Sequence, residues 1–432
     1  MHDVFGKTKP RGPLVMHRLH TIPRFSVDYG ISDFLCALGH LTSQELPSPD
    51  LLDVVANRPA FWTSSGRQAL WLILKALDLK PGSGVALPMY GDRGITEAVQ
   101  RSGCKPVFVD VEEATLTMDP ASLQRVRHDI SAVVVLHFFG HLADMDALKE
   151  VAGTLPIIED TVHAPYSLYH GRMAGQFGVA CFYSFASTKA WAAGGGGIAV
   201  INDRDLASKV DSESRKFSVP SLRSRCGNLI AQSVKAAIFR RPLYGVFGRP
   251  FRSWAASRKP LEPSLTMRAM APHQAAIVGR QATRLRHRLE IQRRHSVKII
   301  EALSTLPKLV LPLERPKTRY NRHLFPVLVD TPEERRAVAS EMLVNNIDVS
   351  EMYWEIASQL REFGYSGNCP VSESVAGRML TLPNSADLTE AQVDFVAHTF
   401  EASVRKYRER SKVSLPLPYS KLRNVSRSGS GC

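Results

Sequence analysis

The chain has 432 residues, 44% of them hydrophobic, which provides apolar material for a large core and two domains and excludes a wholly disordered protein. Its formal net charge of +14 is concentrated, because eleven Lys or Arg and no Asp or Glu lie between Arg215 and Lys259, and eight against a single Glu409 lie between Arg405 and Cys432. The basic character therefore belongs to two segments and not to the body of the protein, which argues against a polyanion-binding core.

Residues 1–55 are rich in Pro and His, with a helix expected over Ile31–Leu41, and read as an arm lying on the main body. In FWTSSGRQALWLILKALDL (61–79), Ser64, Ser65 and Gly66 precede Leu70, Leu74 and Leu77, which share one face of an amphipathic helix. Small residues at such a helix start suit an ordinary N-cap or an anion such as phosphate. Strands are then expected at 85–89, 106–111, 133–140, 156–160, 180–185 and 197–201, with helices at 95–101, 120–127 and 145–152. Near-continuous apolar strands alternating with helices predict a largely parallel sheet covered on both faces. Ligands of such sheets bind beyond the carboxyl ends of the strands.

Residues 210–265 interrupt this alternation. Leu229, Ile230, Val234 and Ile238 fit one helical face, and aromatics interleave with arginines in IFRRPLYGVFGRPFRSW. A basic amphipathic segment suits a membrane surface or another anionic partner; an inserted hairpin over the active site or a dimer seam is the alternative. No nucleic-acid-binding motif accompanies it, so nucleic acid is not an expected partner. Residues 270–303 form a long helical pattern suited to linking two domains. A strand at 323–330, a helix at 332–345, a strand at 379–383 and a helix at 389–407 follow, opened by Thr389 and Gln392 at capping-box spacing. The expected division is an arm (1–55), a large domain including the basic insert (56–269), a linking helix with a smaller α+β domain (270–408), and a basic flexible tail (409–432).

The six cysteines, at 36, 104, 181, 226, 369 and 432, form no C-x-x-C pair and do not cluster with histidines. They argue against a zinc site or a disulfide framework and for a reducing compartment. With no long apolar leader and no run of about 18 apolar residues, a cytoplasmic protein is expected, with the basic insert as a peripheral membrane contact.

The chemistry concentrates at three strand ends. Lys189 is the only Lys or Arg between Arg172 and Arg204 and is followed by four glycines, 194–197. Apolar surroundings lower a lysine pKa and make its amine a nucleophile toward aldehydes. Asp160 ends the strand PIIED and can pair with a pyridinium nitrogen, while Ser184 and the Ser65-Gly66 turn can hold a phosphate. An imine-forming amine, a pyridinium partner and a phosphate cup are what pyridoxal phosphate requires.

Several blocks carry a family likeness: SSGRQAL (64–70), GCKPVFVDVEEATLTMDP (103–120), LHFFGHLADMDAL (136–148), IIEDTVHAP (157–165), FYSFASTKAWAAGGGGIAV (182–200) and CPVSESVAGRMLTLPNSADLTEAQV (369–393). On these the chain resembles the DegT/DnrJ/EryC1/StrS sugar aminotransferases, from about Phe61 to Tyr407 with a gap over the insert. The resemblance implies a three-layer α/β/α large domain of the fold type I pyridoxal-phosphate enzymes with a smaller C-terminal α+β domain, and a homodimer. It also implies amino transfer, from glutamate, to a nucleotide-linked keto-sugar. Lys189 would bind the cofactor covalently and shuttle a proton; Asp160 would face the ring nitrogen and His163 would pack beside the ring. Ser65, Gly66 and Ser184 would hold the phosphate, and the glycines would admit backbone to the cofactor. Three positions depart from the pattern. Arg67 replaces a threonine at the phosphate turn and is a candidate to pair the cofactor phosphate or a substrate pyrophosphate, with a solvent-facing side chain as the alternative; Asp92 stands where an aromatic stacks on the ring, and Met267-Arg268-Ala269-Met270 lacks the asparagine of a partner-subunit motif. These departures motivate an alternative, a non-catalytic relative serving as a scaffold at a membrane or polysaccharide-assembly complex.

Overall fold

The strands that carry the site owe their position to a strict alternation of side chains. In a computed structural model, which describes residues 19–49, 52–256 and 267–413, the chain forms β1 (Ala60–Thr63), β2 (Gly84–Pro88), β3 (Lys105–Val109), β4 (Ile130–Leu136), β5 (Ile157–Asp160), β6 (Leu168–Tyr169), β7 (Arg172–Met173), β8 (Ala180–Ser184), β9 (Gly197–Ile201), β10 (Thr318–Arg319), β11 (Phe325–Leu328) and β12 (Met379–Leu382). Seven of them make one sheet in the order β1-β9-β8-β5-β4-β2-β3. β3, β2, β4, β5 and β8 are mutually parallel, and β9 runs antiparallel to both β8 and β1. Along β4, Val134 and Leu136 join the core beneath the helices Gly66–Ala76 and Arg93–Arg101, whereas Val133 and Val135 join the core beneath Met145–Ala152. On β8, Phe182 faces the first of these cores, and Cys181 and Tyr183 face a third that includes Val278 of the helix Pro272–Leu303. Period-two strands with both faces apolar need helices on both sides. This is the three-layer α/β/α fold that the sequence predicts.

Two expectations about this sheet change. β1 was not expected, because its four residues merge with the helix pattern that follows, yet it closes the sheet edge against β9. The strand expected over 133–140 ends at Leu136. Phe138–Gly140 is a tight 3-10 turn in which Phe139 takes a φ of 57° and Gly140 one of 90°, so the apolar run continues as a loop at the strand's carboxyl end.

The smaller β11–β12 pair is antiparallel, with Phe325 opposite Leu382. It packs with Ile299, Leu303, Val338, Met342 and Phe400 in a core of its own, supplied by Pro272–Leu303, Pro332–Val344 and Glu390–Val413. The last helix extends past the expected tail boundary at 409, and residues 414–432 lie outside the described residues. The arm carries a helix, Ile31–Gly39, held down by Arg284, whose guanidinium reaches Asp28 at 3.2 Å and Asp33 at 2.7 Å.

The insert is not a solvated hairpin. Its helix Leu222–Ile238 buries Leu229, Gln232 and Ala236, and Arg225 donates to the backbone carbonyls of Leu41 and Ser43. Further on, Tyr244 and Arg252 both bind the buried Asp348 carboxylate, Arg252 at 3.0 Å, and Arg24 of the arm binds its other oxygen at 2.7 Å. The opposite face stays open, with Leu243, Phe247, Phe251 and Trp254 exposed among arginines. Among the described residues no helix is long and apolar enough to cross a membrane, and no group of His, Cys, Asp and Glu is arranged to hold a metal ion.

Candidate active site

The carboxyl ends of β2, β5 and β8 and the start of the helix Gly66–Ala76 converge on one cavity of about 470 Å³. Ser65, Gly66, Arg67, Asp160, His163, Ser184 and Lys189, distant in sequence, all line it. The neighbouring acids of β5 divide by strand alternation. Asp160 faces the cavity, whereas Glu159 is fully buried on the opposite side, where its carboxylate accepts from the backbone N–H groups of Gly175, Phe177 and Gly178 at 2.6–2.8 Å and pairs with His137 at 2.9 Å. Burial alone would raise the Glu159 pKa, but these bonds hold it below the ordinary carboxylate value. Glu159 thus anchors the loop before β8. The sequence offers a signal for it only in hindsight, as the first acid of IIED.

Burial has the opposite outcome at Asp160. It is the largest influence and pushes the carboxyl up to about 6, against the lowering effects of the Val162 N–H, at 3.0 Å from Oδ1, and of Lys189. A carboxylate kept short of partners in this way gains most from a cationic ring nitrogen brought beside it. Burial also lowers the Lys189 pKa, opposed by the charges of Asp92 and Asp160. The Lys189 Nζ lies 2.9 Å from His163 Nε2. On its other side His163 Nδ1 accepts the Phe139 N–H at 3.3 Å, which leaves Nε2 to carry the proton of a neutral ring and to face the Lys189 amine. Burial pushes the His163 pKa well below its usual value, in keeping with a neutral ring. Asn321 fixes the loop from the far side, donating to the carbonyls of His163 and Pro165 at 2.9 Å each.

The phosphate end is a cradle that only small residues permit. Ser65 caps the helix, its hydroxyl accepting the Gln68 N–H at 3.2 Å, and a Cβ on Gly66 would lie 2.8 Å from Ser184 Cβ. The turn is braced from behind by the glycine run. Gly196 pairs with Ser65, and a Cβ on Gly197 would stand 2.5 Å from the Gly66 nitrogen. Gly194 to Gly196 all have positive φ, between 77° and 144°. The glycines therefore brace the Ser65-Gly66 turn from behind and are not among the residues that line the cavity.

At the departures the chain behaves differently from its pattern. Arg67 lines the cavity but turns its guanidinium to the buried Glu97, 3.1 Å away, which Arg101 also holds at 2.8 Å. Asp92 caps the helix Arg93–Arg101, accepting the Gly94 N–H at 2.7 Å. Arg268 pairs through its backbone with Ser218 and is not among the cavity residues. Two cavity residues escape sequence reasoning. Arg24 of the arm stands at the mouth, 3.2 Å from Ser350 Oγ, and Tyr353 enters from the smaller domain with a φ of 58°, a left-handed conformation that costs a bulky residue roughly 1–3 kcal/mol.

A buried lysine facing a carboxylate across a cavity that ends in a helix-start anion cradle is the arrangement of a fold type I pyridoxal-phosphate enzyme, and the residues present fit that cofactor. Residues 50–401 match the family model described as the DegT/DnrJ/EryC1/StrS aminotransferase family, and the chain belongs to that family. It is therefore a pyridoxal-phosphate-dependent aminotransferase. It is 31% identical over 359 residues to spore coat polysaccharide biosynthesis protein SpsC of Bacillus subtilis (strain 168), covering 79% of this chain and 84% of that protein. It is 28% identical over 350 residues to a dTDP-4-dehydro-2,3,6-trideoxy-D-glucose 4-aminotransferase of Saccharopolyspora spinosa, with 80% and 84% coverage. In fold it matches the crystal structure of the aminotransferase TlmJ from Streptoalloteichus hindustanus, with a TM-score of 0.72 at 22% identity over 90% of this chain and all of that one.

Proposed function

We propose that the protein moves an amino group from glutamate to a keto-sugar carried on a nucleoside diphosphate. The observation that carries this reading is the convergence of Lys189, Asp160 and the Ser65-Gly66 cradle on one cavity; the name of the Saccharopolyspora relative supports the substrate class. When bound, the cofactor supplies an aldehyde carbon and an electron-accepting ring. Asp160 holds a proton at the ring nitrogen, and ionising it beside that cation relieves the cost of its burial. The Gly66 N–H and the Ser184 hydroxyl bind the phosphate at the helix start. Lys189, whose pKa burial lowers, takes and returns the proton at the substrate's α-carbon, and His163 orients its amine through the Nε2 contact. Arg24, held by Asp348 and Ser350, fixes the arm as part of the cavity wall.

The test is spectroscopic. The purified protein with pyridoxal phosphate is expected to show the visible band of lysine-bound cofactor, to lose it on adding glutamate, and to regain it with a nucleotide keto-sugar. An unchanged spectrum in Lys189→Ala, or no response to glutamate, overturns the reading. We place the enzyme in the cytoplasm as a homodimer, which light scattering checks. The exposed Phe247, Phe251 and Trp254, on a segment that also carries the exposed Arg241, support a peripheral contact with an anionic membrane. Co-sedimentation with phosphatidylserine vesicles tests this contact.

A further inference from the structure

Position 92 is where the cofactor ring would meet an aromatic, and Asp92 is committed instead to the Gly94 N–H. Tyr90, two residues earlier, does not fill the gap. It is fully buried, lies edge-on to Phe138 with centroids 5.4 Å apart, and donates its hydroxyl to the Met352 carbonyl at 3.0 Å. That bond ties the end of β2 to the segment of the smaller domain that leads into Tyr353. The Tyr353 ring stands edge-on to Tyr90 at 5.9 Å and lies 5.5 Å from Phe138, which in turn lies 5.3 Å from His163. Tyr353 lines the cavity with Asp92, Asp160, His163 and Lys189. Burial, with the Asp92, Tyr90 and Asp160 charges, keeps its phenol protonated. Its φ of 58° is a left-handed position that costs a bulky residue free energy, and such positions persist where the neighbours hold them.

From this geometry we infer that Tyr353 provides the aromatic wall for the cofactor ring that the chain lacks at position 92, and that Tyr90 positions it through the Met352 carbonyl. The inference rests on the cavity being the cofactor site. Its consequence is that the ring contact comes from the smaller domain, on a segment that Ser350 pairs with Thr381 of β12, so cofactor retention depends on how that segment is seated.

The experiment is a titration of the full-length apo-protein with pyridoxal phosphate, following the visible band and the quenching of protein fluorescence, alongside apo-protein melting. Tyr353→Ala is expected to weaken cofactor binding about tenfold, the size of one aromatic stacking contact, while reaching a lysine-bound band at saturation. Tyr353→Phe stays within about threefold of wild type, and Tyr90→Phe, which keeps the ring but loses the bond to Met352, weakens binding by about threefold. Tyr353→Asn guards against misfolding, since asparagine tolerates the left-handed backbone; its apo-protein melts at or above the wild-type temperature while its cofactor affinity falls as in Tyr353→Ala. Wild-type affinity in Tyr353→Ala or Tyr353→Asn overturns the inference. Absence of the visible band in wild type overturns instead the reading of the cavity on which it rests.

Discussion

The cavity and the basic insert hold charge in opposite ways. In the cavity a few ionisable groups are buried together, and their protonation is displaced: Asp160 up to about 6, Lys189 down, His163 well down, with burial the leading cause each time. In the insert the cations are spread out, some tied down, as Arg225 is by backbone carbonyls and Arg252 by Asp348, and others exposed, as Arg223 and Arg241 are. Desolvation shifts a buried lysine's proton affinity, whereas a solvated cation keeps its charge and serves as surface. The two regions also touch. Gln232 of the insert accepts from the Ser187 hydroxyl at 2.7 Å, two residues before Lys189, and its side chain packs against Gly194. The insert is thus both an outward face and a brace for the lysine loop.

Four variants sharpen that contrast. Lys189→Ala removes the reagent itself, and the glutamate half-reaction, followed in a stopped-flow absorbance experiment, falls by more than about 10⁴-fold. Asp160→Asn slows the same step by about 10²–10³-fold and also carries a stability signature. Because burial raises the Asp160 pKa from 3.8 to about 6, the folded apo-protein keeps a proton that the unfolded chain releases. The stability this contributes is complete below the unfolded value and is lost as pH rises through the folded one. Two units correspond to about 3 kcal/mol, so above pH 6 apo-Asp160→Asn should melt higher than wild type, while wild type gains back the difference on acidification toward pH 4. Equal melting temperatures across that range would show that Asp160 is not held at a cost. Gln232→Ala leaves the Ser187 hydroxyl without its acceptor and lowers stability by roughly 1–3 kcal/mol, with a few-fold loss in the half-reaction. If melting falls and the half-reaction does not, the insert braces the fold but not the lysine loop. The smallest effect on chemistry comes from Phe251→Glu with Trp254→Glu, half-exposed positions where vesicle binding should disappear and the half-reaction change by less than about twofold.

Much of this molecule is legible in local pattern. Runs such as VVVL and ACFYS read as strands buried on both faces, although the first was expected to run on to 140, and an isolated lysine before four glycines marks a strand end. The parts that were not legible depend on distant partners. β1 is four residues whose identity as a strand comes from pairing with β9. The glycine run serves the Ser65-Gly66 turn, which is remote in sequence. Arg24, Glu159 and Tyr353 acquire their roles only from what surrounds them. The insert's composition shows its exposed face, and nothing in it foretells that Tyr244 and Arg252 would share the Asp348 carboxylate.

The sequence by itself determined the period-two strands, their alternation with helices, and the residue types that bind a pyridine ring and a phosphate, since these follow from side-chain spacing and chemistry along a few turns of chain. The tertiary structure alone decided how deeply Asp160, His163 and Lys189 are buried, hence which protons they hold, and which aromatic faces them. Desolvation and ring contacts are properties of space filled by the whole fold, and no local stretch of sequence carries them.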